Sequence, residues 1–221
     1  FTKSYPLSLQ NQMKSYRTFA DNLGQTHHRY KQYYKGVEVI GAQYILHEQN
    51  GRVHYANGRL VEGLDLDTTP AFTEEQALKA ALGYVGADSY MWEKASNEEF
   101  LKKEQNDSLA TFYPKGELKL TSGSLEMLSE NFKLVYRFDV YSEHPLGRYY
   151  VDVDAKTGAL VSKLSRIHDV DVPGTGTSLY NGNVNITVDR IGFVGPYRLR
   201  ESGRGLGIQT YDMRNTGDYR L

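Results

Sequence analysis

A chain of 221 residues is long enough for one large domain or two smaller ones. Its 26 Lys and Arg nearly balance 27 Asp and Glu, and no basic run stands out, which argues against nucleic acid or an anionic membrane as partner. The absence of cysteine excludes disulfides, thiolate metal sites and a Cys nucleophile.

The opening FTKSYPLSLQ has no basic stretch followed by an apolar run, so no signal peptide is expected within this numbering, although one could have been removed before it begins. No segment approaches the ~18 apolar residues of a membrane span. Lys14–Phe19 and His27–Tyr34 read as strands. From Ile40 to His47 apolar and polar residues alternate, and Asn50-Gly51 offers a two-residue type I′ turn, since both positions tolerate positive φ. Closing that hairpin puts Gln49 opposite Arg52, Glu48 opposite Val53 and Leu46 opposite Tyr55, with Val53 and Tyr55 joining one apolar surface.

Leu64–Pro70 is a polar connector and reads as a boundary. Thr73-Glu74-Glu75-Gln76 is a capping box; Ala77, Leu78, Ala81, Leu82 and Val85 follow at helical spacing, and Gly86 is placed to end the helix. Asn97–Lys103 reads as a second, shorter helix. Phe112–Leu120 reads as a hairpin around Pro114-Lys115-Gly116. Phe132, Leu134, Tyr136, Phe138 and Val140 alternate with polar or mixed positions, a half-buried strand; Tyr149, Val151 and Val153 continue the pattern. Ala155–Gly158 is a turn, and Leu160, Ser162 and Leu164 return from it. A helix against a meandering antiparallel sheet is an α+β layer. The last stretch, rich in Gly, Thr and Asn with a turn at Asn181-Gly182, has too few apolar residues for a core of its own and reads as the opening of a domain whose remainder is missing.

The residues HHRYKQYYKGVEVIGAQYILHEQNGRVHYANGRLVEGL resemble the fungalysin/thermolysin propeptide (FTP) module, with Tyr34-Lys35-Gly36-Val37, Val39, Gly41, His47, Gly51 and Gly58 on its pattern. Glu38 stands where that pattern usually has Pro, a departure expected to change local rigidity more than the fold. Thr73–Gly86 with Phe132–Ser165 is similar to a PepSY domain, and Asp171–Leu221, through GTGTSLY and RGLGIQTYD, is similar to the first strands of a thermolysin-type catalytic domain. The resemblance implies an α+β layout of two antiparallel-sheet/helix propeptide modules, 1–63 and 64–168, followed by an all-β segment, 169–221, from a truncated catalytic domain. It implies a secreted zymogen, extracellular or periplasmic before release. The propeptide of such a zymogen assists folding of a zinc metalloendopeptidase and inhibits it, in cis or after cleavage. Zinc, and calcium besides, would belong to the missing catalytic domain; none is expected in this chain. By position, the processing junction falls near Ile167, His168 and Asp169.

The residues themselves carry no peptidase centre. A zincin needs His at i and i+4 on one helix face with Glu as general base; His47-Glu48 is the sole His-Glu pair, position 51 is Gly, and the pair sits in a strand pattern. A degenerate zinc site at His47 and His54, which oppose each other in the hairpin register, stands against a plainer reading as solvent-facing sheet histidines. His27-His28 begins a strand and reads as surface; His144 precedes Pro145 in a turn. His168, if cleavage occurs beside it, could approach the protease zinc as the end of the prosegment; the plainer reading is a linker histidine. Gly203–Gly207 reads as a β-turn or bulge ahead of Ile208–Tyr211, not a phosphate loop. Glu74-Glu75 and Glu98-Glu99 sit at helix starts, where they favour the positive end of the dipole. Asp152 and Asp154 share one strand face, as a solvated face or a cation site. Three functional classes remain open on these residues: protease propeptide, stand-alone extracellular peptide-binding or protease-regulating module, and an enzyme in its own right.

Overall fold

The computed structural model describes residues 7–166, 170–190, 197–198, 200–201 and 208–209. The chain divides into two compact units, Phe1–Leu164 and Ser165–Leu221. In chain order the first contains strands β1 (Asn11–Ala20), β2 (Thr26–Tyr34), β3 (Val37–Gln49) and β4 (Arg52–Arg59), helix α1 (Glu74–Val85), a short strand β5 (Ser89–Tyr90) and helix α2 (Ala95–Gln105). Strands β6 (Glu117–Thr121), β7 (Lys133–His144), β8 (Gly147–Asp154) and β9 (Leu160–Ser165) complete it. Strands predominate and two α-helices accompany them among the described residues, which is compatible with the α+β expectation.

All nine strands join one sheet in the order β1-β2-β3-β6-β7-β8-β9, with β4 added on β3 and β5 on β7. The long strand β3 forks. Its C-terminal part, from Gln43 onward, pairs antiparallel with β4, while Glu38 and Val39 pair parallel with Lys119 and Leu120 of β6. Both strands flanking the connector region are thereby parts of a single sheet.

The turn at Asn50-Gly51 forms as its residues dictate, with φ of 53° and 76°. Gln49 faces Arg52 and Glu48 faces Val53 as expected, but His54 is an extra residue in β4, and beyond it Leu46 faces Ala56 while His47 faces Tyr55. One inserted residue flips every later side chain to the other face, which turns Tyr55 from Leu46 to His47; Val53, ahead of the bulge, keeps its register, and both are exposed and do not extend the apolar surface. Gly58 is required where β4 crosses β3, because a Cβ there would meet the Gln43 carbonyl at 2.2 Å.

Helix α1 begins and ends on the predicted residues. Thr73 caps it, Gln76 closes the capping box, and Gly86 ends it at φ 65°. Its buried Ala77, Leu78 and Ala81 pack on β7 and β8. They meet Leu134, Phe138, Val140, Val151 and Val153, and the same core cluster continues through Leu120 to Val39, Ala42 and Tyr34. Helix α2 is longer than its expected Asn97–Lys103. The expected hairpin around Pro114-Lys115-Gly116 does not form: only Glu117–Thr121 is a strand. Its backbone donors have other partners, since Glu98 accepts from the Phe112 N–H and Glu74 from the Gly116 N–H, each at 2.8 Å. The two helix-start glutamates therefore tie down a loop as well as meeting the helix dipole.

The connector is anchored along its length. Gln32 is fully buried in β2 and its amide acts as a strand would: Oε1 accepts from the Val61 N–H at 2.8 Å, and Nε2 donates to the Val61 carbonyl and to Asn11 Oδ1, each at 2.7 Å. Lys35 Nζ donates to the Leu66 carbonyl, Lys156 pairs with Asp67 and holds its carboxyl down to about 2, and the N–H groups of Ala71 and Phe72 both reach the Ala155 carbonyl.

The second unit contains a long hairpin of β10 (Val170–Ser178) and β11 (Gly182–Arg190); its turn runs through residues 179–181, and Gly182 of the expected Asn181-Gly182 turn already opens β11 opposite Ser178. Tyr197–Arg198 (β12) adds to β11, and Arg200–Glu201 (β13) pairs with Ile208–Gln209 (β14).

Removing the Gln32 amide (Gln32→Leu) leaves the buried Val61 N–H and carbonyl without partners and is expected to cost about 3 kcal/mol, read as a lowered urea midpoint. Glu38 gives a second test. Burial pushes its carboxyl up, but hydrogen bonds from Lys119 and Lys31 outweigh burial and hold it below the ordinary 4.5. The stabilisation is therefore complete above that value and is lost as the pH falls through the lowered one. Glu38→Gln is expected to cost about 2 kcal/mol at neutral pH, with the gap from the parent chain closing in acid.

Candidate functional site

The proposed junction residues Ile167, His168 and Asp169 lie outside the described residues, as does the Gly203–Gly207 turn. The polar face of the first unit's sheet lies within the described residues and carries charged and titratable side chains.

That face follows from alternation. Phe138, Val151 and Leu120 face the core, so Arg137, Asp152 and Lys119 face the other way. A groove of 350 Å³ runs across it, lined among others by Lys31, Glu38, Lys119, Arg137, Asp139 and Tyr150. Most of its charges meet opposite charges on neighbouring strands. Glu38 receives Lys31 at 2.7 Å and Lys119 at 2.8 Å, and Lys119 also reaches Glu117. Arg148 and Asp139 are paired at 2.8 Å. Burial pulls the Lys119 ammonium down, yet its two carboxylate partners raise it above its ordinary value.

Asp152 overturns the solvated-face reading and the cation reading together. It is fully buried, receives Arg137 through two hydrogen bonds of 2.7 Å, and accepts from Ser162 Oγ at 2.6 Å. Asp154 is buried too and accepts from the N–H groups of Lys156 and Thr157 in the β8–β9 turn. Both carboxylates are occupied in holding strands together.

The histidines are arranged differently from the sequence expectation. The bulge at His54 removes it from His47, so those two do not face each other. His47 instead meets His27 of β2, their Nδ1 atoms 2.8 Å apart. His27 Nε2 lies 3.1 Å from Asp21 Oδ2, and His47 Nε2 lies 2.7 Å from Asn57 Oδ1. Phe19, His27, His47 and Tyr55 form a row of ring contacts across β1, β2, β3 and β4. The Gln25 N–H, followed by the His27 ring, holds the Asp21 carboxyl below its usual range. His27 is not a surface residue: its side chain is 15% exposed.

His28 faces the other side, with Nδ1 3.3 Å from Thr18 Oγ1 and Nε2 2.9 Å from Glu48 Oε2. Hydroxyl, imidazole and carboxylate in line have the order of a nucleophile relay. Here the hydroxyl is exposed on edge strand β1, outside the groove just described. Ser89 Oγ and Glu143 Oε2 both approach Nδ1 of the exposed His144, at 3.0 and 3.7 Å, so those three are not in line. Among the described residues no group of three or more His, Cys, Asp or Glu converges as a metal centre, and no helix is long and apolar enough to cross a membrane.

Residues 11–60 match the Fungalysin/Thermolysin Propeptide Motif. Bacillolysin of Bacillus subtilis subsp. amylosacchariticus is 25% identical over 209 residues, covering 92% of this chain and 36% of the relative. Bacillolysin of Bacillus amyloliquefaciens is 28% identical over 201 residues, and thermolysin of Alicyclobacillus acidocaldarius subsp. acidocaldarius 27% over 210, each covering 88% of this chain and 35% of the relative. The chain spans about a third of the length of the curated relatives it matches. The resemblance read from His27 to Leu64 thus holds at the level of a thermolysin-family propeptide region.

Asp152→Ala is expected to lower stability by about 3–5 kcal/mol, because it leaves the Arg137 guanidinium half-buried without its carboxylate; chemical denaturation of both chains checks it.

Proposed function

We propose that this chain is the propeptide region, with the start of the catalytic domain, of a secreted thermolysin-like zinc metalloendopeptidase zymogen. In this reading residues 1–63 form an FTP-like module, 64–168 a PepSY-like module and 169–221 the N-terminal β segment of the catalytic domain. The observation that carries it is the propeptide motif over residues 11–60 combined with an alignment to bacillolysin that runs on through 92% of the chain. The division into compact units at Leu164/Ser165, just ahead of Ile167, His168 and Asp169, supports a processing junction there.

The mechanism is restraint without bond-making. His47-Glu48 is the sole His-Glu pair and is a strand pair, not half of a zinc helix. Zinc chemistry would belong to a catalytic domain carrying its own HExxH helix, and calcium sites likewise. The first unit would offer that domain, its partner in cis or after cleavage, a rigid preformed surface. Rigidity suits both tasks, since a template that is already ordered loses little entropy on docking and can guide a slower-folding partner. The chain after β9 would reach the cleft as a product-like segment, with His168 near its end. The compartment would be extracellular, or periplasmic before release.

Added in excess to a thermolysin-like catalytic domain, the full chain is expected to slow peptide hydrolysis and to raise the yield of active enzyme on dilution from denaturant. If it does neither, the reading fails. Mass spectrometry after exposure to the protease is expected to find the first cut near His168.

A further inference from the structure

The chain Asp21–His27–His47–Asn57, with Asn57 Oδ1 turned to His47, contains a contact that two neutral imidazoles satisfy only if that amide turns over. His27 Nε2 faces Asp21 Oδ2, and His47 Nε2 faces Asn57 Oδ1. Both partners are acceptors, so each Nε2 carries its hydrogen. Asp21 is kept a carboxylate by the N–H groups of Leu23 and Gln25, each 2.9 Å from its Oδ1. A neutral ring with hydrogen on Nε2 has a bare lone pair on Nδ1. Two such lone pairs would then face each other across 2.8 Å, a distance at which they repel unless a hydrogen lies between them.

We propose that His27 and His47 hold one proton between their Nδ1 atoms, and that this protonated dyad is a pH-operated clasp between β2 and β3. The surrounding charges fit a single added proton. Asp21, in the β1–β2 turn, supplies one counter-charge. From β1 and β2, Arg17 and Arg29 stack on Phe19, which itself packs on His27, so further positive charge is opposed. From β4 come the Tyr55 ring and the Asn57 amide. On the opposite face His28 is already matched by Glu48. The clasp therefore needs one proton: with none the lone pairs repel, and with two the rings are adjacent cations.

The sign of the pH dependence follows. On the alkaline side folding takes up a proton that the unfolded histidines lack, so stability falls as pH rises. On the acid side the unfolded chain binds two protons and the clasp one, so stability falls again. The contribution is therefore greatest between those two limits. This inference does not depend on whether the chain restrains a protease.

Long-range proton–nitrogen spectra of the histidine side chains in the full chain are the direct test. The expected result at neutral pH is one imidazolium shared by His27 and His47, with both Nε2 protonated. Two neutral rings, with His47 carrying its hydrogen on Nδ1 and the Asn57 amide turned to donate to Nε2, would overturn the proposal. Thermal unfolding against pH is the second test. The midpoint of the parent chain is expected to exceed that of His47→Gln by about 2–4 °C at the peak, with the difference shrinking toward pH 9 and pH 5. His54→Gln, at the bulge outside the network, is expected to keep the parent profile. A His47→Gln profile parallel to the parent's at every pH would overturn the clasp. If that variant does not fold, the spectra of the parent chain decide.

Discussion

The first unit depends on a joint two residues long. Glu38 and Val39 of β3 pair in parallel with Lys119 and Leu120 of β6, and among the described residues no other backbone ladder links the β1–β4 strands to the β6–β9 strands. A parallel contact this short is weak by its hydrogen bonds alone. It is reinforced on both faces. On the core side Val39 and Leu120 are buried in one apolar cluster with Phe138 and Tyr34. On the polar side the Glu38 carboxylate takes an ammonium from β2 and another from β6, so a single side chain ties three strands. Proline, usual at this position in the propeptide pattern, could make neither ion pair.

The same economy of long-range ties governs the connector. A segment without regular structure leaves backbone donors and acceptors to satisfy, and here side chains do it: the Gln32 amide stands in for a strand opposite Val61, and Lys35 reaches Leu66. Val61 and Leu64 at its start are thereby buried in the core. The outcome is a sheet whose β7–β8 part is covered by α1 on one face and carries ion pairs on the other.

Local features were legible in the residues. The Asn50-Gly51 turn, the capping box at Thr73 with its Gly86 stop, and the core alternation from Phe132 to Val140 all stand where pattern placed them, because each depends on interactions a few residues apart. Errors began where one residue more or less changes a register. His54 as a bulge reassigned Tyr55 and separated the two histidines expected to meet. Between β2 and β3 the irregularity is larger: Tyr33 faces Glu38, yet Lys31 faces Gln43. Without that shift His27 would not lie opposite His47, and no turn rule reports it. The burial of Asp152 is hidden from alternation for a related reason, since it is created by Arg137 and Ser162 from the strands on either side.

By itself the sequence determined helix α1 with its caps and most of the long strands, the absence of a zinc-helix motif and the resemblance to a protease propeptide, all matters of residue type and short spacing. Only the tertiary structure decided that β3 forks to make one sheet, that Glu38 staples the joint, and that His27 meets His47. Those outcomes rest on bulges and cross-strand contacts between residues far apart in the chain. There a single inserted residue moves a side chain from one face to the other, and alternation alone does not reveal where the insertion falls.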